Sequence, residues 1–437
     1  MNSSNVAIFA SLRNFLTAAS ANPAPYVSVE GAFSRARTLS FFRVVLFIIG
    51  LLKRSLSMEL YHFFAELGSV EELCTKSAFC QARKKLNSHF FDAWNRHLTQ
   101  SFYSGMGREV KRWKGFRLCA VDGTSIPLPD HPSIDQLYGR RKHRLGSSPL
   151  AKLVCCYDVL NQLSIWSKLD SWRKAERQIA IEQLDENQAD MLMIYDRHYP
   201  GFESILAHHL AGQPFVMRIQ RGFSIVEDFL KTGESQTICS YQIRYNQVNP
   251  LKKKGYEVDR HTAIPLRLVR IELPSEETEV LVTSLLDFEA FPFQDFSWLY
   301  QQRWKVETFF DRIKNKMCLE AFSGVSAHVI EQDIMAHLFV ANLHSILYHE
   351  LVPITEQQTK HRLLDYQPNY NLSLGVLIRL RIDLFVQQDI FDVLERLIKA
   401  ATMEPQPVRP NRSVPRKRKR ATHRKRHRTI PNYKRAV

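Results

Sequence analysis

WLYQQRWKVETFFDRIKNKM, residues Trp298 to Met317, contains no Gly or Pro and is rich in good helix formers. Its length predicts about five turns of helix. With Tyr300 set at zero and about 100° per residue, Arg303 falls at about −60°, Glu307 at about −20° and Lys314 at about −40°. Leu299, Val306, Phe310, Ile313 and Met317 gather between about −80° and −140°, which marks the face that packs on a core. The polar stripe therefore borders the buried face instead of opposing it. A carboxylate flanked by a guanidinium, an ammonium and a phenol on such a rim suits phosphate and metal. The same residues also fit a solvated helix face with an Arg303–Glu307 pair, an interaction worth only a few tenths of a kcal/mol.

A carboxylate that works on phosphate through metal needs acidic partners from elsewhere in the chain. Upstream, the apolar run Leu118-Cys-Ala-Val121 ends in Asp122-Gly-Thr-Ser. Strand patterns follow at Lys152–Val159 and Leu163–Lys168, then a helix over Arg173–Gln183. Met191-Leu-Met-Ile-Tyr195 is a further buried strand and ends in Asp196-Arg-His-Tyr. A helix over Phe202–Leu210 and a strand over Pro214–Ile219 complete the order. An Asp after a strand is often only a turn former or helix cap. Here two of them end strands of an α/β pattern, where acidic groups face an open crevice suited to metal.

Tyr300, Arg303, Glu307 and Lys314 are spaced as in the Y-R-E-K signature of bacterial insertion-sequence transposases, in the family named after insertion sequence four. Asp122-Gly-Thr resembles that family's first-aspartate motif. Asp196-Arg-His198-Tyr199 resembles its second, with His198 where a small or polar residue is more common. Leu281 to Asp287, leading on to Leu299-Tyr300, resembles the family's approach to the helix, and Phe79-Cys-Gln-Ala-Arg-Lys-Lys-Leu86 resembles an element near its start. The resemblance implies a mixed α/β fold: a ribonuclease H-like catalytic core over residues 106–325, interrupted by an all-β insertion at 221–290. It implies helical flanks at 1–105 and 326–400 and a basic tail at 401–437. It further implies that Asp122, Asp196 and Glu307 are the catalytic and metal-binding triad, holding two Mg²⁺ ions or Mn²⁺ in their place. Water and then a freed 3′-hydroxyl would be the nucleophiles. The DNA partners it implies are the element's ends and the target, brought together by a homodimer, with a hairpin at the element's end as one open route of cleavage. Tyr300, Arg303, Trp304 and Lys314 are expected to hold DNA, with Trp304 stacking on an unpaired base or lying in the core. Arg140 and Arg141, in the run Arg140 to Arg144, and Arg83 are further expected DNA contacts; each also reads as an ordinary basic surface.

Composition sharpens the partner. The chain of 437 residues is long enough for two or three domains, and its net charge is +16. Between Pro405 and Val437 stand 13 Lys or Arg and no Asp or Glu, which leaves a nearly balanced body of 47 basic against 44 acidic residues. Such a tail suits a polyanion, or remains solvated and disordered. The seven cysteines form no Cys-x-x-Cys, which argues for reduced thiols and against a zinc site. The histidines of Val325–Leu351 (His328, His337, His344, His349) lack metal-site spacing and read as structural. Met1-Asn-Ser-Ser has no basic start before an apolar run, so no signal peptide is expected. Leu39–Leu52 is apolar over only 14 residues and contains Arg43, too short for a membrane span. A bacterial cytoplasmic, nucleoid-associated protein is expected. Two further readings share this pattern: a repurposed, non-cutting DNA-binding protein of the same fold, and a structure-specific nuclease that never joins strands.

Overall fold

The computed structural model describes residues 3–105, 110–143, 146–272 and 278–409. The chain divides into two compact units. One gathers residues 1–110, 127–150 and 311–437, the other 111–126 and 151–310.

Nine strands are named here: β1 (Arg117–Pro127), β2 (Arg140–His143), β3 (Gly146–Asp158), β4 (Leu163–Ser171), β5 (Met191–Tyr195), β6 (Phe215–Ile219), β7 (Gln236–Gln242), β8 (Ala263–Glu272) and β9 (Thr278–Thr283). In the second unit they run in the order β4-β3-β1-β5-β6-β9-β8-β7. β1 pairs parallel with β5, and β5 with β6, whereas β3–β4, β6–β9, β8–β9 and β7–β8 are antiparallel. The first five of these strands in chain order lie third, second, first, fourth, fifth across the sheet, which is the ribonuclease H-like arrangement. Central parallel strands must be covered on both faces, and Met191 to Tyr195 is buried at every residue, as its unbroken apolar run requires. Helices Glu176–Glu182 and Phe202–Leu210 follow β4 and β5.

Residues 221–290 differ from the all-β insertion expected. Their strands β7, β8 and β9 extend the main sheet from β6, and helices Ser224–Thr232 and Tyr245–Lys253 lie between them. The first helix buries Val226 and Phe229 at i, i+3. The second resists reading from sequence because Pro250 lies inside it, and a Pro usually ends a helix. The strand before it stops at Gln242, and Arg244 caps this helix.

The first unit is helical. Its longest helix, Ala327–Thr359, buries Phe339, which stacks on Trp94 from helix His89–Gly105 with centroids 3.9 Å apart. The apolar run Leu39–Leu52 holds the helix Phe41–Ile48, opened by Ser40 Oγ accepting from Arg43 N, and Leu51 beyond it has a positive φ. Ser3–Ala21 is also helical. His337 and His344 are buried, and desolvation pushes each down to about 3, so both are neutral packing residues. The described cysteines are free thiols, and no described helix is long and apolar enough to cross a membrane.

Arg83 corrects an expectation. It is 3% exposed, and its guanidinium donates to Asp333 Oδ1 at 2.7 Å, Gln332 Oε1 at 2.6 Å and Ser323 Oγ at 2.5 Å. Against the upward push of burial, the Arg83 charge and the Ser323 N–H hold Asp333 below its ordinary value. The basic helix face that looked free for phosphate thus spends this Arg on a buried acid. Arg83→Ala is expected to destabilise the first unit by about 3–5 kcal/mol, because Asp333 is left buried and unpaired. Urea unfolding followed by far-ultraviolet circular dichroism measures it.

Candidate active site

The register of β1 against β5 ends at Val121 opposite Tyr195. Asp122 and Asp196 are the next residues, so two carboxylates leave neighbouring parallel strands at the same end. The buried runs Leu118–Val121 and Met191–Tyr195 fix both strands, and the polar Asp follows where each emerges. β1 does not stop there but continues to Pro127, so Asp122 lies within a strand instead of after one. Asp122 Oδ1 accepts from Gly123 N at 2.8 Å. Asp196 Oδ1 accepts from His198 N at 2.8 Å, and Oδ2 lies 2.9 Å from His198 Nδ1.

The helical stretch that carries Glu307 is not straight. Asp295–Gln301 ends in a turn at Gln302–Arg303, a second helix covers Trp304–Asp311, and Arg312–Lys316 forms a π-turn. Angles drawn for an unbroken α-helix therefore fail on both sides of Glu307; π-turns recur at functional sites. The break turns Arg303 inward. Its side chain is 7% exposed, with Nη1 3.6 Å from Asp122 Oδ2 and Nη2 donating to Glu307 Oε1 at 3.2 Å. Its Nε is buried with no hydrogen-bond partner among the described residues. Tyr300 is buried beneath it, and desolvation pushes the phenol up to about 12. Trp304 is 55% exposed, with its ring 4.6 Å from the Arg303 guanidinium, so the stacking role stays open and the core role does not.

The other expected contacts lie in the first unit. Lys314, half-buried on the π-turn, pairs with Glu320 at 3.6 Å. Arg140 is held by Asp130 at 2.7 Å and Asp135 at 3.0 Å, whereas Arg141 is exposed on β2. Arg144 and residues 410–437 lie outside the described residues.

One acid beside the aspartates was not singled out in the sequence. Glu176 opens the helix after β4, and its carboxylate stands where a Cβ on Gly123 would come within 2.4 Å of Cδ. In sequence it resembles any acidic residue in a first turn, which is favourable there regardless of function. The one available signal was the glycine after Asp122.

These acids repel. Burial pushes Asp122 up to about 7; the Gly123 N–H and the Arg303 charge oppose the shift, and Asp196 and Glu176 add to it. Glu176 is raised as well, by burial first, with Lys152 opposing. The sign for stability follows. Between pH 3.8 and about 7 the unfolded chain has lost a proton that folded Asp122 retains, so stability falls as pH rises through that window. Asp122→Asn, which never charges, is expected to raise the thermal midpoint of metal-free protein at pH 8. The gap to wild type should close toward pH 4, as differential scanning fluorimetry across pH would record.

The donors are all hard oxygens, the set that Mg²⁺ and Mn²⁺ prefer. Among the described residues no three acidic, His or Cys groups sit close enough to share an ion as the side chains stand. Arg303 instead brings a cation against both Asp122 and Glu307, with a buried Nε left unbonded. A half-buried site with excess acid and a stand-in positive charge fits a divalent ion in chemistry and in charge.

Comparison with known proteins agrees. Residues 113–343 match the family described as Transposase DDE domain, more than half of the chain. The chain is 22% identical over 351 residues to Transposase InsG for insertion sequence element IS4 of Escherichia coli (strain K12), covering 78% of this chain and 75% of that one. It also overlaps a structure of the piggyBac transposase synaptic complex with hairpin DNA, at 12% identity and TM-score 0.39 over 94% of this chain and 88% of the other, a likeness too slight to add weight. The family match, spanning the strands that carry both aspartates and the helix that carries Glu307, settles the assignment: the chain belongs to the DDE transposases.

Proposed function

We propose that this transposase cuts the ends of an insertion sequence and joins them to target DNA, with Asp122, Asp196 and Glu307 as its catalytic triad. One observation carries the reading: two carboxylates emerge side by side from parallel strands, and one guanidinium links the first of them to Glu307. The DDE family generally works with divalent metal ions. Two ions of the Mg²⁺ class, when bound, supply Lewis-acid polarisation of the phosphate and lower the pKa of the attacking water or hydroxyl. Asp122, Asp196 and Glu307 would hold them, and their partial removal from solvent makes a cation's charge count for more than it would in water. Arg303, released from Asp122 and Glu307, is placed to bind a phosphate oxygen on the reacting strand with its two-pronged guanidinium. Tyr300 lies beneath Arg303 and limits where the guanidinium swings. Trp304, exposed at the same turn, is placed to stack on an unpaired base. Lys314, and Arg141 on its exposed strand, supply phosphate contacts without base readout. No side chain of the triad acts as a covalent nucleophile: first water, then the freed 3′-hydroxyl, attacks phosphorus. A homodimer that holds both ends would let one protein couple the two cuts.

The test is incubation of the full chain with end-containing duplex and Mg²⁺, reading nicked and joined products on a denaturing gel. Cleavage followed by joining supports the reading. Nicking without joining points to a nuclease, and binding without cutting points to a repurposed DNA-binding protein.

A further inference from the structure

We propose that Glu176 is a fourth carboxylate of the metal site, acting with Asp122 and Asp196; the proposal rests on the triad reading above. The first support is steric. Gly123 follows Asp122 directly, and a Cβ there would lie 2.4 Å from Glu176 Cδ, 2.6 Å from Oε1 and 2.7 Å from Cγ. Those separations are well inside contact, so any side chain at 123 displaces the Glu176 carboxylate. The glycine's φ is not positive, so the close approach, and not backbone strain, is what calls for it. Glycine at this position within β1 makes room for a second acid beside the first.

The second support is a phenol beside the acids. Tyr199 is 1% exposed, and its hydroxyl is a hydrogen-bonding neighbour of the Glu176 carboxylate that favours its charged form. The other carboxylates around it are Asp122 and Asp196. A buried hydroxyl needs a partner, and this one finds it in the acid cluster. It is suited to orient a carboxylate or a metal-bound water once the cluster is occupied.

The third support is charge. Among the described residues, Asp122, Glu176, Asp196 and Glu307 pair with two permanently charged cations, Lys152 at 3.8 Å from Glu176 and Arg303 between Asp122 and Glu307. The Lys152 ammonium is also committed to the Lys174 carbonyl at 2.7 Å. A half-buried site with surplus negative charge is relieved by a divalent cation. A plain structural role for Glu176 would be its pairing with Lys152, which predicts loss of stability on removal and no effect on metal.

Mn²⁺ titration of the full-length, DNA-free protein, followed by water-proton relaxation, separates these roles. Glu176→Gln is expected to weaken Mn²⁺ binding about tenfold or more, the scale seen when residues supporting a metal are removed. Gly123→Ala should move in the same direction, since its methyl group displaces the carboxylate while every acid remains. Asp196→Asn tests the underlying triad in the same titration. Wild-type affinity in Glu176→Gln together with weakened binding in Asp196→Asn would overturn the role of Glu176 and leave the triad standing. Wild-type affinity in both would take down the triad as well. Should Glu176→Gln fail to fold, Glu176→Asp retracts the carboxylate by one methylene, keeps its charge and carries the same expectation of weaker Mn²⁺ binding.

Discussion

Glu307→Gln is expected to lower the rate of end cleavage by at least about 10³-fold while leaving affinity for the DNA ends within about threefold of wild type. The amide keeps the size of the side chain and still accepts a hydrogen bond from Arg303, which now donates to Glu307 Oε1 at 3.2 Å, so the local fold should persist. What disappears is a negative charge. With it go an anionic oxygen donor for the metal and part of the field that gives the phosphate-attacking group its strength. A loss of about 10³-fold corresponds to about 4 kcal/mol of transition-state stabilisation, within the range for removing charge from a metal-assisted site. Single-turnover cleavage measured beside equilibrium binding to the same duplex separates the two effects. Joint loss of binding and cleavage would mean that Glu307 supports the fold or the DNA surface instead of the chemistry.

The second large effect concerns residues 410–437, which hold twelve Lys or Arg and no acid. Truncation after Arg409 leaves the pairing of Gln406–Pro407 with Tyr366–Gln367 in place, as well as the bond from Val408 N to Asp365 O at 2.7 Å. The first unit should therefore be undisturbed. Each neutralised phosphate contributes about −0.9 to the slope of log affinity against log salt. Should roughly half of the tail's charges meet phosphate, truncation would flatten that slope by about five and weaken non-specific binding at low salt by about 10²-fold or more. Because phosphate contacts carry no sequence information, any preference for the element's ends should survive. Fluorescence anisotropy with random duplex from 50 to 300 mM salt measures both, and an unchanged slope would remove the tail from the DNA-binding surface.

Much of the catalytic unit was legible because a parallel sheet writes itself into sequence as short, unbroken apolar runs. Met191–Tyr195 and Phe202–Leu210 come out at the bounds expected, and Asp196 follows its strand as read, whereas Asp122 follows its apolar run but lies inside the longer β1. Spacing alone also linked Arg303 to Glu307, since i, i+4 residues meet on any helix turn. The failures share a cause, which is that long-range packing overrode local pattern. Nothing in WLYQQRWKVETFFDRIKNKM marks the break at Gln302–Arg303 or the π-turn at Arg312–Lys316. The good helix formers there predict continuity, and the break is visible only once Arg303 is seen turned toward Asp122. Arg83 looked like one of several surface cations because its partner, Asp333, is 250 residues away. Glu176 was passed over for the same reason: its neighbours Gly123 and Tyr199 come from other elements, and a first-turn Glu is unremarkable by itself. The family resemblance points to three acids, and the proposed fourth is visible only in the fold.

The proposed role of Asp122, Asp196 and Glu307 is to surround the divalent ions together. Replacing Mg²⁺ by Fe²⁺ in the full-length protein and adding ascorbate and peroxide generates radicals that cut the backbone beside the bound iron. Mapping the fragments by mass spectrometry reads the site directly. Cuts clustered near residues 122, 196 and 307, suppressed together by excess Mg²⁺, are the predicted result. Cuts confined to other segments, or cuts that Mg²⁺ does not suppress, would contradict it.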